Sequence, residues 1–122
     1  MKPLPFEAEV RQEAGIVTIV MHGEVNAFAE KALNLAYTEA QDYNPQVIGL
    51  DFSNVSYINS TGIALIVSLL AQARKTHSKL VVYGLSDHYV HIFQITRLAD
   101  FMSIFPNKDS AMESVSNSPE TG

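Results

Sequence analysis

The 122 residues are the length of one ordinary domain, and a hydrophobic fraction of 47% is enough to form a core, which excludes a wholly disordered chain. The formal net charge of −5 argues against a nucleic-acid-binding protein, because such proteins need a basic surface. The absence of cysteine excludes a disulfide framework, a thiolate zinc site and a cysteine nucleophile.

The N-terminal part of the sequence predicts a β-hairpin followed by a helix. Residues 6–11 alternate weakly between apolar and charged side chains, and residues 16–21 form an apolar, β-branched run between two glycines. Asn26 is a candidate N-cap for a helix over residues 27–43. The expected buried face of that helix consists of Phe28, Ala29, Ala32, Leu35, Ala36, Ala40 and Tyr43.

The middle of the sequence predicts a strand over residues 46–52, a loop over residues 53–58 and then the most hydrophobic helix, which ends near residue 75. The side of this helix expected to face the sheet consists of Ile63, Ile66, Val67, Leu70 and Ala73. Leu65 and Leu69 extend the apolar arc beyond what packing on a sheet requires. Either a neighbouring helix or loop covers this flank, which is the favoured interpretation, or the flank binds a partner.

The C-terminal part predicts a strand over residues 79–83, a helix that begins at Ser86 or Asp87 and ends near residue 96, a short strand within residues 101–105, and a short helix capped by Asn107 or Asp109. Residues 113–122 are almost free of apolar side chains and are expected to be a disordered tail, which leaves residues 1–112 as one domain. The alternation of strands and helices predicts an α/β fold with a largely parallel sheet, but it does not predict the strand order.

No segment of the sequence has the pattern of a secretory signal or a membrane span. The N-terminus lacks an apolar run, and the longest apolar stretch, residues 62–71, would cross only about half of a bilayer core as a helix. We therefore expect a soluble, cytoplasmic protein that does not insert into a membrane.

No arrangement of side chains in the sequence indicates catalysis. Ser60 lacks the G-x-S-x-G setting of a hydrolase nucleophile, and a serine at this position is expected to cap a helix. His88 and His91 have the spacing of a metal pair but no third ligand nearby. Asp51, near the end of a predicted strand, either accepts hydrogen bonds from loop amides or belongs to a small-ligand site. We expect no catalytic residue, no metal and no cofactor, and therefore no enzyme.

A run of motifs in the sequence resembles one known family. Residues 50–62, LDFSNVSYINSTG, are similar to the signature of the STAS family, the domains of sulfate transporters and anti-sigma factor antagonists. Residues 16–27, 80–86 and 93–98 resemble further motifs of that family in the same order. The resemblance covers roughly residues 10–112 and implies a mixed, mainly parallel sheet with helices packed on it.

The resemblance also implies a function. In stand-alone members of the family, the serine that corresponds to Ser60 is phosphorylated by a partner that is both a serine kinase and an anti-sigma factor. The unphosphorylated antagonist binds that partner, phosphorylation releases it, and a type 2C serine phosphatase restores it. This chain is therefore expected to be an anti-sigma factor antagonist, with Ser60 as the phosphorylation site and Thr61 as the second choice. The alternative is an adaptor that is not phosphorylated, such as a stressosome scaffold or the small subunit of a lipid-transport ABC system.

The expected partner-binding surface surrounds Ser60. It consists of Asn26, Ile58, Asn59, Ser60, Thr61, Gly62 and Leu65. Three positions depart from the family pattern: Asn26 and Asn59 replace the usual acidic residues, and Arg97 replaces a glycine. The two asparagines remove negative charge beside Ser60. Arg97 predicts a different local backbone, because a non-glycine residue in left-handed geometry costs about 1–2 kcal/mol.

Overall fold

The computed structural model describes residues 5–13 and 15–117 of the chain. In chain order, the elements are β1 (Glu7–Glu13), β2 (Ile16–Val25), a first 3-10 turn (Ala27–Ala29), α1 (Glu30–Gln41), β3 (Val47–Ile58), α2 (Ser60–Lys75), β4 (Lys79–Tyr83), α3 (Asp87–Ile95), a second 3-10 turn (Leu98–Phe101), β5 (Ser103–Phe105) and α4 (Lys108–Asn117). None of the helices within these described residues is long and apolar enough to cross a membrane.

The five strands form one sheet in which each strand lies beside the strand that precedes it in sequence. β1 and β2 are an antiparallel hairpin, whereas β2, β3, β4 and β5 pair in parallel. The predicted α/β fold with a mixed, mainly parallel sheet is therefore confirmed. Right-handed crossovers that all advance in one direction place their helices on the same side of a sheet. This strand order therefore explains why α1, α2 and α3 lie on one face.

The two faces of the sheet are covered by different helices. On the front face, strand residues such as Leu50 pack with Leu33 of α1, Ile66 of α2 and Phe93 of α3. The alternate residues of the same strands point to the back face, where Val81 and Tyr83 pack with Ala111 of α4. The apolar runs predicted as strands are thus buried on both sides.

The loop predicted over residues 53–58 is wrong, because β3 continues to Ile58. This polar stretch pairs with the second half of β2, which itself continues to Val25. The pairing shifts register between Val20 and His22 and again between Gly23 and Glu24. A run of polar residues is typical of a loop, which is why the sequence predicts one here. The structure is nevertheless a strand, because its backbone groups form hydrogen bonds with the neighbouring strand.

The predicted buried face of α1 is also wrong in part. Phe28 is 92% exposed, and Leu35 and Tyr43 are exposed as well, whereas Leu33 and Tyr37 are buried. The prediction assumed one continuous α-helix from residue 27, but the first turn is 3-10 and the α-helix begins at Glu30. Ala29, Leu33 and Tyr37 then follow one another at i, i+4 spacing and set the buried face.

α2 is rotated relative to the prediction. Leu69 is fully buried, whereas Val67 is 44% exposed. Leu65 is partly buried and packs against the front-face core. The interpretation that neighbouring elements cover this apolar flank is therefore confirmed for Leu69 and holds in part for Leu65.

Two further expectations differ from the structure. α4, capped by Asn107, continues to Asn117, so residues 113–117 are helical and not a disordered tail; residues 118–122 lie outside the described residues. Arg97 keeps the left-handed geometry that was expected to change, with φ of 68°. Its side chain forms an exposed ion pair of 2.6 Å with Asp100.

Candidate functional site

The candidate site lies where β3 ends and α2 begins. Asn59 is the N-cap of α2, and its side-chain oxygen accepts a hydrogen bond of 2.8 Å from the Gly62 backbone N–H. Ser60 is therefore not the capping residue, contrary to the prediction. Its side chain is exposed and forms no hydrogen bond with the described part of the chain. Ser60 therefore presents a free hydroxyl at the first residue of α2.

Gly62 allows the start of α2 to lie directly against the end of β2. A Cβ atom at this position would overlap the carbonyl oxygen of Val25. The same carbonyl accepts a hydrogen bond of 3.2 Å from the Asn59 N–H, which ties the two segments together. The close approach fixes Ser60 beside the turn that follows β2.

That turn is the 3-10 turn capped by Asn26, as the sequence predicts. The Asn26 side-chain oxygen accepts a hydrogen bond of 2.9 Å from the Phe28 N–H, and its amide nitrogen donates to Glu24 at 3.4 Å. Both asparagines near Ser60 therefore use their side-chain oxygens to cap backbone N–H groups. An aspartate would make the same caps, so the asparagines keep the geometry and remove two negative charges.

The residues predicted to bind a partner fall into two groups, one exposed or half-buried at the surface and one buried beneath it. Ser60 and Thr61 are exposed, and Asn26 and Asn59 are half-buried. Ile58 is buried, and its backbone N–H donates a hydrogen bond of 2.9 Å to the Tyr89 hydroxyl. Ile58 and the buried Gly62 thus hold the site in place and offer little side-chain surface, which corrects their expected role as contact residues.

Phe28 lies beside the candidate site, and sequence reasoning missed its exposure. It was assigned to a buried helix face, yet it stands almost fully exposed on the turn next to Ser60. No local signal in the sequence marks this exposure, because it depends on the first turn being 3-10 and not α-helical, which changes the direction of the side chain.

The electrostatics at Ser60 favour an anion. The first N–H groups of a helix have no partner within the helix, and the helix dipole stabilises a negative charge there by about 0.3–1 kcal/mol. The first turn of α2 contains no acidic residue. A phosphate on Ser60 would therefore be compatible with the folded domain.

Asp51 lies on the back face, away from Ser60. Its carboxylate accepts a hydrogen bond of 2.8 Å from the Ser53 N–H, which fits the expected role of binding local amides. It borders a cavity of about 20 Å³, which is large enough for one water molecule and too small for an organic ligand. The residues that line this cavity are Arg11, Glu13, Thr18, Val20, Asp51, Tyr83 and Lys108.

The back-face cavity is polar but small. Burial, together with the negative charge of Asp51, raises the pKa of Tyr83 to about 12. The Thr18 hydroxyl lies near this phenol but reaches no group of the described chain with full hydrogen-bond geometry. Among the described residues, no cluster of three or more histidine or acidic side chains forms a metal site, so His88 and His91 gain no third ligand.

Comparisons with known proteins point to one family. A sequence model of the STAS domain matches residues 7–111. The anti-sigma-B factor antagonist of Listeria monocytogenes is 33% identical over 88 residues, which are 72% of this chain and 77% of that protein.

Solved structures share the fold. An anti-sigma factor antagonist from Mycobacterium paratuberculosis superposes with a TM-score of 0.79 at 19% identity, over 92% of this chain and 95% of that one. The unphosphorylated form of the anti-sigma factor antagonist SpoIIAA has a TM-score of 0.70 at 16% identity, over 93% of this chain and 99% of that one.

Proposed function

Since the chain belongs to the STAS domain family, we propose that it is an anti-sigma factor antagonist in a bacterial partner-switching cascade. The unphosphorylated protein binds a partner that is both an anti-sigma factor and a serine kinase, and this binding frees the sigma factor. Phosphorylation of Ser60 ends the complex, and a type 2C serine phosphatase restores the binding form. The protein acts as a cytoplasmic regulator and not as an enzyme.

The observation that carries the proposal is the exposed, unbonded hydroxyl of Ser60 on a rigid helix start. Its oxygen attacks the γ-phosphorus of the ATP held by the kinase, the hydroxyl proton passes to a base of the kinase, and ADP leaves. The chain itself supplies only the acceptor and its placement. Thr61, also exposed, is the second candidate acceptor.

A phosphate at Ser60 can release the partner without unfolding the domain. It adds about 1.5–2 negative charges, which the start of α2 tolerates. At an interface, the same group would have to lose its hydration or be paired. A hundredfold loss of affinity needs only about 2.8 kcal/mol, which one poorly paired phosphate provides.

Asn26 and Asn59 support the alternative of an adaptor that is not phosphorylated, because they replace the acidic residues usual in the phosphorylated family members. In this alternative, a stressosome or a lipid-transport ABC system binds the domain permanently. The geometry of both caps is kept, however, and Ser60 remains exposed. We therefore favour the switch, with a kinase that does not require acidic residues at positions 26 and 59.

Two substitutions of Ser60 test the switch. The probes are the purified serine kinases of the histidine-kinase ATPase type from the source genome, each measured by calorimetry and by transfer of labelled phosphate from ATP. Ser60→Ala should bind like the wild type and remain unlabelled. Ser60→Asp should bind at least about tenfold more weakly with an unchanged melting temperature.

Ser68→Asp is the matched control, because Ser68 is exposed on the same helix, two turns beyond Ser60. It should bind like the wild type. Equal affinities of the Ser60→Ala and Ser60→Asp variants would contradict the switch. Tight binding of scaffold or transporter subunits, with Ser60 never labelled, would establish the adaptor instead.

A further inference from the structure

We propose that Phe28 is the side chain with which this protein selects its kinase partner, by inserting into an apolar pocket beside the groups that receive Ser60. The inference rests on the proposed function, because it assigns a specificity determinant to the same binding surface. It also places the apolar part of that surface on the turn after β2 and not on the Leu65 flank of α2.

The exposure of Phe28 has no structural benefit in the isolated domain. Its ring is 92% exposed, the highest value among the exposed large hydrophobic residues of the described chain. Burial of a phenylalanine ring in an apolar pocket strengthens a complex about 10- to 100-fold. Aromatic side chains, phenylalanine included, are enriched in the buried cores of protein interfaces. Leu65, by contrast, already packs against the core and has less surface to offer.

The backbone beneath Phe28 is fixed before any partner binds. Its N–H donates to the Asn26 side chain at 2.9 Å, and the Ala29 N–H donates to the Asn26 carbonyl at 2.9 Å. Ala29 itself is fully buried in the front-face core. The turn is held on both sides of Phe28, so the backbone loses little conformational freedom when the ring binds. This small entropic cost favours affinity.

Phe28 and Ser60 stand on the same rim of the molecule. The Val25 carbonyl, three residues before Phe28, accepts the Asn59 N–H next to Ser60. The close contact at Gly62 holds these two segments together. A kinase that brings ATP to the Ser60 hydroxyl therefore also covers the turn that carries Phe28.

The charge around Phe28 defines the partner further. Glu30 is exposed two residues after Phe28, in the first turn of α1, and Glu24 contacts Asn26. A matching pocket is apolar at its floor and carries a basic side chain on the side that meets α1.

The test compares Phe28→Ala with the wild type on the kinase that binds in the Ser60 experiment. The affinity should fall about 10- to 100-fold, and KM for phosphorylation of Ser60 should rise while kcat is unchanged. Phe28→Tyr retains the ring and should stay within about threefold of the wild type. Glu30→Lys should slow association at low salt.

Specificity is measured with a second probe, the anti-sigma-B factor of Listeria monocytogenes. Phe28→Ala should lower the affinity for this protein less than for the native kinase, so that the ratio of the two affinities decreases. Leu35→Ala is the matched control, because Leu35 is 62% exposed on α1 but farther along the helix from Ser60. It should leave both affinities unchanged within about twofold.

The outcomes separate the two proposals. If Ser60→Asp weakens binding and Phe28→Ala does not, the proposed role of Phe28 is wrong and the proposed switch at Ser60 stands. If Phe28→Ala and Leu35→Ala weaken binding equally, Phe28 is not a specific anchor. If the wild type binds none of the kinases and is not phosphorylated, both proposals are overturned. Unchanged melting temperatures of the Phe28 variants exclude misfolding as the cause of a loss.

Discussion

Gly62 shows how one missing side chain positions a functional hydroxyl. The start of α2 rests on the Val25 carbonyl, and a Cβ atom at residue 62 has no space there. The overlapping atom belongs to the backbone, so it cannot rotate away as a flexible side chain would. Placement of Ser60 beside the Asn26 turn therefore depends on glycine at this position, so one residue affects both the stability of the helix start and the position of the proposed phosphate acceptor.

Substitution of Gly62 by alanine tests this dependence. We expect Gly62→Ala to lower the free energy of unfolding by about 1–3 kcal/mol, because the helix start or β2 must shift. The affinity for the kinase partner should fall as well, since Ser60 moves with the helix. Urea unfolding and calorimetry measure the two effects, with Ser68→Ala as an exposed control on the same helix that should change stability by less than about 0.5 kcal/mol. Unchanged stability of Gly62→Ala would contradict the close contact.

At the scale of elements, the buried face of α2 differs from the face that helical periodicity predicts. The packing of this helix places Leu69 inside and leaves Val67 partly exposed. An apolar arc wider than one face leaves the rotation undetermined in the sequence, since several rotations bury similar numbers of side chains. The neighbouring elements select among them.

Alanine substitutions distinguish the two rotations. Leu69→Ala should destabilise the protein by about 2–5 kcal/mol, because it leaves a cavity in the core. Val67→Ala, two residues away, should change stability by less than about 1 kcal/mol, because its side chain is already 44% exposed. Denaturant unfolding of both variants measures the difference. A larger loss for Val67→Ala than for Leu69→Ala would restore the rotation predicted from the sequence.

The sequence predicted elements best where local chemistry decides the structure. The sequence predicted β4 between Lys79 and Tyr83 and the Asn26 cap, because strand propensity and N-cap hydrogen bonds act over a few residues. For α3 and α4 it offered two candidate caps each, of which the structure selects Ser86 and Asn107. The strand character of residues 53–58 was not readable, because it depends on pairing with β2. A motif identified Ser60 in the sequence. Only the structure shows that Ser60 does not cap α2 and that Phe28 is exposed.

At the scale of the whole molecule, the two faces of the sheet have separate roles. The front face builds the rim with Ser60 and Phe28, whereas the back face buries Tyr83 next to Asp51 beneath α4. Burial and the charge of Asp51 raise the pKa of Tyr83 from 10.0 to about 12. The ionisation of this phenol thus opposes folding, and its effect appears in global stability.

Alkaline pH should therefore destabilise the whole domain. Below about pH 10, the phenol is neutral in both states; between about pH 10 and 12, it ionises first in the unfolded chain. Stability should fall across this interval by about 2–3 kcal/mol from Tyr83. Burial also raises the pKa of Tyr37, so Tyr83→Phe should remove only part of the loss. Urea unfolding at about pH 9 and about pH 12 compares the two proteins, and identical losses would contradict the assignment to Tyr83.

The order of the strands has a consequence for how the domain forms. Every strand pairs with its predecessor in sequence, so each parallel pairing waits only for one intervening helix and the next strand, as between Ile48 and Leu80. Parallel pairing across such a crossover closes a long loop and is slower than hairpin formation, so we expect the sheet to add its parallel strands to an existing hairpin. The hairpin of β1 and β2 comes first. α4 is the last helix of the described residues, and its Lys108 pairs with Glu13 of β1, so an ion pair joins the two ends of the described chain.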